Sequence, residues 1–338
     1  MHRVIGFIVL ALSFGVGWLW IDYRGFEQTP LALPDGGAVY TLPAGGSVAT
    51  LADGLRAAGY VDESGARYLQ WLAWTSGHAG NLKAGEYHLP PGLTPPALID
   101  LLVSGRVVQH ALTIPEGWTF RQLRAALRAH EAVRHTLDGL SDAQVMAAIG
   151  KLGEHPEGRF FPDTYHFPRG TTDVDFLARA YRRMVTVLDE AWRQRPPSLP
   201  LATPYEALVL ASIVEKETAV PEERQQVAGV FVRRLQKGMR LQTDPTVIYG
   251  MGEEFQGDLR RRDLDTDTPY NTYTRPGLPP TPIALPGKGS ILAALGPAPG
   301  DSLYFVARGD GTHQFSATLD EHRKAVDRYQ RRKAPATP

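Results

Sequence analysis

The sequence predicts an α+β protein in three parts: one N-terminal transmembrane helix, a small subdomain of alternating strands and helices, and a larger, mainly helical domain with short strands. Three observations predict it. An unbroken apolar run opens the chain from Val4 to Trp20. Strand-like and helix-like segments then alternate at short intervals up to about residue 105. Beyond that point well-capped helical patterns dominate, with one hairpin signal near the carboxyl end.

The apolar run contains a single hydroxyl, Ser13, and is flanked by Arg3 on one side and by Asp22 and Arg24 on the other. A stretch of about 17 residues just spans hydrocarbon. A cleavable signal would carry a shorter apolar core ending in small residues. This run ends Trp18-Leu19-Trp20, and indoles suit a membrane interface. Residues 1–24 therefore read as a short stub plus a retained anchor. The positive charge of Arg3 and the amino terminus predicts the N-terminus inside and the bulk of the chain outside.

The 338 residues, 43% hydrophobic and 21% charged, suffice for one large domain or two modest ones with buried cores. Lys+Arg and Asp+Glu both total 36. That balance offers no broad basic field, which disfavours nucleic acid as a partner. The chain has no cysteine, so disulfides, thiolate metal sites, cysteine nucleophiles and lipidated cysteine are excluded. Its chemistry must use oxygen and nitrogen groups.

A polar linker is expected over residues 25–36, followed by a subdomain over 37–105. Ala38 to Leu42 reads as a strand, and Ser47 opens a helix bearing Val48, Leu51, Leu55 and Ala58. A second helix runs from about Glu63 to Trp74, and Leu82 to Leu89 reads as the returning strand before Pro90-Pro91-Gly92. This order of strand, helix, helix, strand resembles a LysM-like glycan-binding module. It equally describes a small packing domain without a ligand.

The second domain is expected over 106–330, with a frayed tail at 331–338. A helix from Thr94 leads to Gly105, Val107 to Ile114 reads as a strand, and Thr119 starts another helix. Asp173 to Arg193 predicts a long amphipathic helix ended by Pro196-Pro197. Gly309-Asp310-Gly311 predicts a β-hairpin, and Thr318 with Glu321 forms a capping box for a last helix.

Between these, Thr203-Pro204-Tyr205-Glu206 starts a helix with an N-cap, proline at the first position and a capping-box glutamate. Along it Leu210, Ile213, Val214 and Glu217 recur at i, i+3, i+4 and i+7, so Glu217 shares the apolar stripe. Glu215 lies about 200° away around the helix, where solvent is expected. Burial raises a carboxyl pKa and keeps it protonated as a general acid, which glycosidic cleavage needs. On periodicity alone the plainer alternative stays open: a stripe-edge glutamate or one paired with arginine.

Other chemistries find less support. The two histidines of His130-Glu131-Ala132-Val133-Arg134-His135 are five apart, one too many for a zinc helix, and the segment reads as a helix end. Gly287-Lys288-Gly289-Ser290 lacks the spacing of a phosphate-binding loop and reads as a turn. No Gly-x-Ser-x-Gly elbow occurs. Neither a metal nor a cofactor is expected.

The run Leu210-Ala-Ser-Ile-Val-Glu-Lys-Glu217-Thr resembles the signature helix of the YceG-like (MltG) family of endolytic murein transglycosylases. Further strings follow the family pattern in order: Glu157 to Tyr165, Val230 to Leu235, Gly238 to Gly250, Pro269 to Tyr273, Gly277 to Ile283 and Leu303 to Val306. One departure is visible, since Thr281 stands where the family often has glycine. The resemblance implies a single-pass enzyme of the bacterial inner membrane. Such an enzyme cuts nascent peptidoglycan strands between N-acetylmuramic acid and N-acetylglucosamine, leaving 1,6-anhydro ends. It also implies proximity to peptidoglycan synthases, and it makes Glu217 the catalytic glutamate.

On that expectation protonated Glu217 gives its proton to the bridging oxygen, then accepts one from the muramic acid C6 hydroxyl as it attacks C1. Gln242, Thr243 and Asp244 are expected to hold sugar hydroxyls or orient Glu217. Asn271 and Tyr273, in a rigid loop, offer an amide and a phenol to an N-acetyl group, with turn capping and packing as the alternative. Phe160, Phe161, Tyr165 and Phe167 either stack on sugars or fill the core. The rival functions are a hydrolytic muramidase on the same substrate and a non-catalytic peptidoglycan-binding scaffold.

Overall fold

The structure, a computed structural model, describes residues 2–331. All but the first residue of the expected tail lies outside them. In chain order the first elements are α1 (His2–Gln28), β1 (Ala38–Leu42), α2 (Val48–Ala57), α3 (Glu63–Thr75), β2 (Gly85–Leu89) and α4 (Pro95–Ser104). Next come β3 (Gln109–Thr113), α5 (Phe120–Ala129), β4 (Val133–Arg134), α6 (Asp142–Ala148), β5 (Thr164–Pro168), β6 (Thr171–Thr172) and α7 (Asp173–Arg193). The remainder is α8 (Pro204–Glu217), α9 (Arg224–Gln236), α10 (Asp244–Met251), α11 (Arg261–Asp265), α12 (Lys288–Leu295), β7 (Tyr304–Ala307), β8 (His313–Ser316) and α13 (Leu319–Val326). A single 3-10 turn, Pro221–Glu223, precedes α9. The chain divides into two compact units, one of residues up to His110 with His166–Gly170, the other of Ala111–Tyr165 with everything from Thr171.

In the first unit α1 is the one helix among the described residues long and apolar enough to cross a membrane. It continues to Gln28, so the start of the expected linker is helical. Beyond it β1 and β2 pair antiparallel, Ala38 against Leu89 and Tyr40 against Tyr87. Ser47 caps α2 and Asp62 caps α3, each accepting a backbone N–H three residues on. Leu42, Leu51, Leu55, Leu69, Tyr87 and Leu98 fill the core between the pair and the helices. Helix α4 stops where Gly105 turns left-handed (φ 71°), a conformation that costs glycine least.

In the second unit α8 is central, packed by α7, α9, α10 and α12. Every residue from Ala207 to Val214 is buried. This corrects the stripe argument, because the helix is enclosed over those residues and the exposed side chain beyond them is Lys216, not Glu215. The α8 start is as expected for Thr203, which accepts the Glu206 N–H, but the Glu206 carboxylate accepts from Ala202 N–H at 2.7 Å rather than from the cap residue. Phe160, Phe161 and Tyr165 are buried core residues here, and Phe167 is buried in the first unit, so none of the four is free to stack on a sugar. The Gly287 segment is not an isolated turn, since Gly287 caps α12. A Cβ there would meet only the Glu116 side chain, whose half-exposed carboxylate can move aside. The β7–β8 hairpin forms in the register Tyr304 to Ser316 through Ala307 to His313.

Candidate active site

The C-terminal end of α8 opens into a cleft of the second unit. Glu217 is the last helical residue, and Thr218 leaves in an extended conformation. Burial pushes the Glu217 carboxyl up to about 7, with the nearby Asp244 charge adding to the rise. The unpaired carbonyls of a helix C-terminus act in the same direction. Opposing this, the Thr243 hydroxyl donates to Glu217 Oε1, and His313 and Arg234 favour the ionised form.

Thr243 is only 2% exposed, so it reaches the carboxylate and not a ligand. It is fixed by a threonine cluster: its N–H donates to Thr272 Oγ1 at 3.0 Å, and Thr246 Oγ1 donates to its carbonyl at 2.8 Å. Of the two roles the sequence allowed, orienting Glu217 is the one its position serves.

Gln242 lines the cleft and is the one non-glycine among the described residues with positive φ, 52°. Such strain persists only where the surroundings over-determine it. Buried Arg234 does so here, donating to the carbonyls of Leu241 at 2.8 Å, Arg240 at 3.2 Å and Leu303 at 2.7 Å. Arg234 thus ties the 240–242 segment to the start of β7, and burial lowers its pKa. Asp244, first residue of α10, also lines the cleft, and Tyr273 donates to it at 2.5 Å. Burial and the Asp244 carboxylate both raise the Tyr273 pKa, which keeps the phenol a donor.

Asn271 corrects an expectation. It is 0% exposed, and its Nδ2 is consumed by the carbonyls of Thr266 (2.6 Å) and Leu264 (3.0 Å) while Oδ1 accepts from Tyr273 N–H (2.8 Å). It shapes the loop that presents Tyr273 and offers nothing to a ligand. Thr281, at the departure from the family pattern, bonds the Tyr270 hydroxyl at 2.9 Å without a left-handed backbone, so no glycine is required there.

Glu215 is corrected too. Its side chain is 7% exposed, accepts the Gly287 N–H at 2.9 Å and lies 3.9 Å from Arg224. It anchors the N-terminus of α12 rather than facing water.

The cleft encloses about 420 Å³, within the range of small-molecule sites. Its far wall is β7, within the Leu303 to Val306 string, together with His313 and His322, which the sequence did not single out. Tyr304 stacks on His322 at 5.2 Å between ring centres, with the Arg234 guanidinium 5.1 Å from the Tyr304 ring. His313 is gripped by Glu223, which accepts its N–H at 2.9 Å and meets Nδ1 at 2.7 Å. That leaves Nε2 as the ring nitrogen without a hydrogen-bond partner among the described residues, in the cleft wall. The only available signal was the hairpin that carries His313, because 96 residues separate it from Glu217 along the chain. Among the described residues no three His, Asp or Glu side chains converge as metal ligands would.

A more deeply buried glutamate stands apart from the cleft lining. Glu157 accepts from the Phe120 N–H at the start of α5 (2.9 Å) and from the Tyr249 hydroxyl (3.1 Å). Burial pushes its carboxyl from the ordinary 4.5 up to about 7, against those hydrogen bonds. The folded state therefore binds this proton more tightly than the unfolded chain. Its stabilisation is present below the unfolded value and is lost as pH rises through the window to about 7. Urea midpoints at about pH 5 and about pH 8 should show this fall, and Glu157→Gln should flatten it by roughly half, Glu217 supplying the rest. An unchanged slope in that variant would show that Glu157 does not titrate there.

The geometry defines a class: a mixed α/β protein with one near-neutral acid held in a polar cleft, and an apolar N-terminal helix. The YceG-like family model matches residues 40–328, and the chain belongs to that family. It is 34% identical over 268 residues to an endolytic murein transglycosylase of Bacillus subtilis strain 168, covering 74% of each. It is 28% identical to the endolytic murein transglycosylase of Streptococcus pneumoniae R6, covering 90% of this chain but 59% of that longer relative. The crystal structure of a putative yceG-like protein from Listeria monocytogenes superposes with a TM-score of 0.54 at 29% identity, covering 86% of this chain and 99% of that one.

Proposed function

We propose that this protein is an endolytic lytic transglycosylase of peptidoglycan. It cleaves the β-1,4 bond between N-acetylmuramic acid and N-acetylglucosamine within nascent strands and leaves 1,6-anhydro ends. The observation that carries this reading is the Glu217 carboxyl, poised near neutrality in the wall of a cleft among groups able to bind sugar. The names of the relatives point the same way.

Protonated Glu217 gives its proton to the bridging oxygen as the bond to C1 breaks and oxocarbenium character develops. The C6 oxygen of the same sugar attacks C1, and its proton returns to Glu217. The attack is intramolecular, so its entropic cost is largely met in advance and no water enters the products. Thr243 holds the carboxyl in place. Asp244, held by Tyr273, supplies fixed negative charge to the same cleft, where positive charge develops.

A hydrolytic muramidase would also use two carboxyls in one cleft, but the names of the relatives do not favour it. Mass spectrometry of strands digested by the purified protein separates the two. Anhydro ends lack one water, and a digest containing only reducing ends would sink the transglycosylase.

In this reading His313, fixed by Glu223, offers Nε2 to a hydroxyl of the bound strand. His313→Ala should lower the initial cleavage rate about tenfold, the scale of one hydrogen bond to ligand, and His313→Gln should restore part of it. A wild-type rate in His313→Ala would remove the residue from the site.

We infer a single-pass inner-membrane protein with the second unit on the outer side, close to peptidoglycan synthases. The β1-α2-α3-β2 unit serves as a LysM-like contact to glycan. The strand-helix-helix-strand order supports the last point, and the charge of Arg3 supports the orientation.

A further inference from the structure

Helix α1 does not end where its apolar run ends. Asp22 and Arg24 mark the water side, yet the helix continues to Gln28 and is packed there, with Tyr23 only 5% exposed. Gly65 at the start of α3 lies against the Phe26 ring. Tyr68 meets both Phe26 and Tyr23, with ring centres 5.6 and 5.7 Å apart, and its hydroxyl donates to Asp22 at 2.7 Å. Trp71 meets Tyr23 at 4.3 Å. Moving forward along α3 is therefore moving backward along α1, toward the apolar run. The two helices are antiparallel at this contact.

One more turn of α3 carries Trp74 about 4.5 Å further in that direction, level with Trp20. Trp20 itself lies 6.2 Å from Tyr23, with the Arg24 guanidinium 5.0 Å from its ring. Trp71 and Trp74 are 41% and 73% exposed, while Leu69, Leu72 and Ala73 turn to the core. The segment that follows, through Leu82, contains no Asp, Glu, Lys or Arg. Two exposed indoles on an uncharged tip are costly in water and favourable among lipid headgroups.

We propose that this end of α3 docks on the bilayer interface, with Trp71 and Trp74 seated in the headgroup layer beside α1. The anchor is then a rigid strut and not a loose tether, and it fixes the height of the first unit above the lipid. The proposal rests on α1 crossing the membrane.

The test uses the full chain in phosphatidylethanolamine and phosphatidylglycerol vesicles containing headgroup spin-labelled lipid. The chain has no cysteine, so Ser76→Cys and Glu63→Cys each give a single site for a bimane fluorophore. These positions are about 20 Å apart along the helix. Quenching at position 76 should exceed that at position 63 by roughly fivefold, and adding Trp71→Ser with Trp74→Ser should reduce it by roughly threefold without releasing the protein. Equal or absent quenching at both positions overturns the docking, including in favour of a protein partner for the tryptophans. Release of the wild-type chain by alkaline extraction overturns the membrane reading itself, and the docking with it.

Discussion

Glu217→Gln should abolish strand cleavage, lowering the initial rate by about 10²–10⁴-fold, the usual contribution of a general acid and base. The amide is nearly isosteric and can still meet the Thr243 hydroxyl, so the fold and cleft should survive with little change in thermal midpoint. Only the transferable proton is lost. Glu215→Gln is the informative contrast. Glu215 is two residues away but holds the Gly287 N–H and faces Arg224, so its loss should cost on the order of 1 kcal/mol of stability and little activity. If the two variants exchange these phenotypes, the acid has been assigned to the wrong glutamate.

Arg234→Ala should be the most damaging change at the cleft that leaves Glu217 in place. The guanidinium, itself buried, satisfies backbone carbonyls of Arg240, Leu241 and Leu303. Stranding those carbonyls should cost about 3–5 kcal/mol, seen as a lower urea midpoint. It should also release Gln242 from its left-handed conformation and let the Thr243 segment drift from Glu217, so cleavage falls even in the folded fraction. Arg234→Lys should not rescue it, because one ammonium lacks the planar fork that spans two segments. Wild-type cleavage by Arg234→Lys would show that the clamp is not needed.

Much of this was legible in the sequence where local rules decide. The caps at Ser47, Thr119 and Thr318, β1 from Ala38 to Leu42, and the Gly309-Asp310-Gly311 hairpin all follow from turn and capping chemistry, which acts within a few residues. Periodicity and the family resemblance both point to Glu217, but the single apolar stripe does not exist, since α8 is enclosed all round from Ala207 to Val214. What singles out Glu217 is being the last helical residue, where the enclosed helix meets a cleft. The fate of Glu215 depended on Gly287, 72 residues away, and the grip on His313 on Glu223, 90 residues away. No local pattern reports such partners. Asn271 shows the converse, for its turn-forming amide is spent on its own loop.

One carboxyl, that of Glu217, stays about half protonated at neutral pH within the cleft wall. Infrared titration of the carboxyl band, taken as wild type minus Glu217→Gln, measures it with Glu157 and the other acids cancelled. A difference band titrating with a midpoint near 7 is the expected result. A midpoint at the ordinary glutamate value of about 4.5 would contradict it, leaving the cleft without its acid.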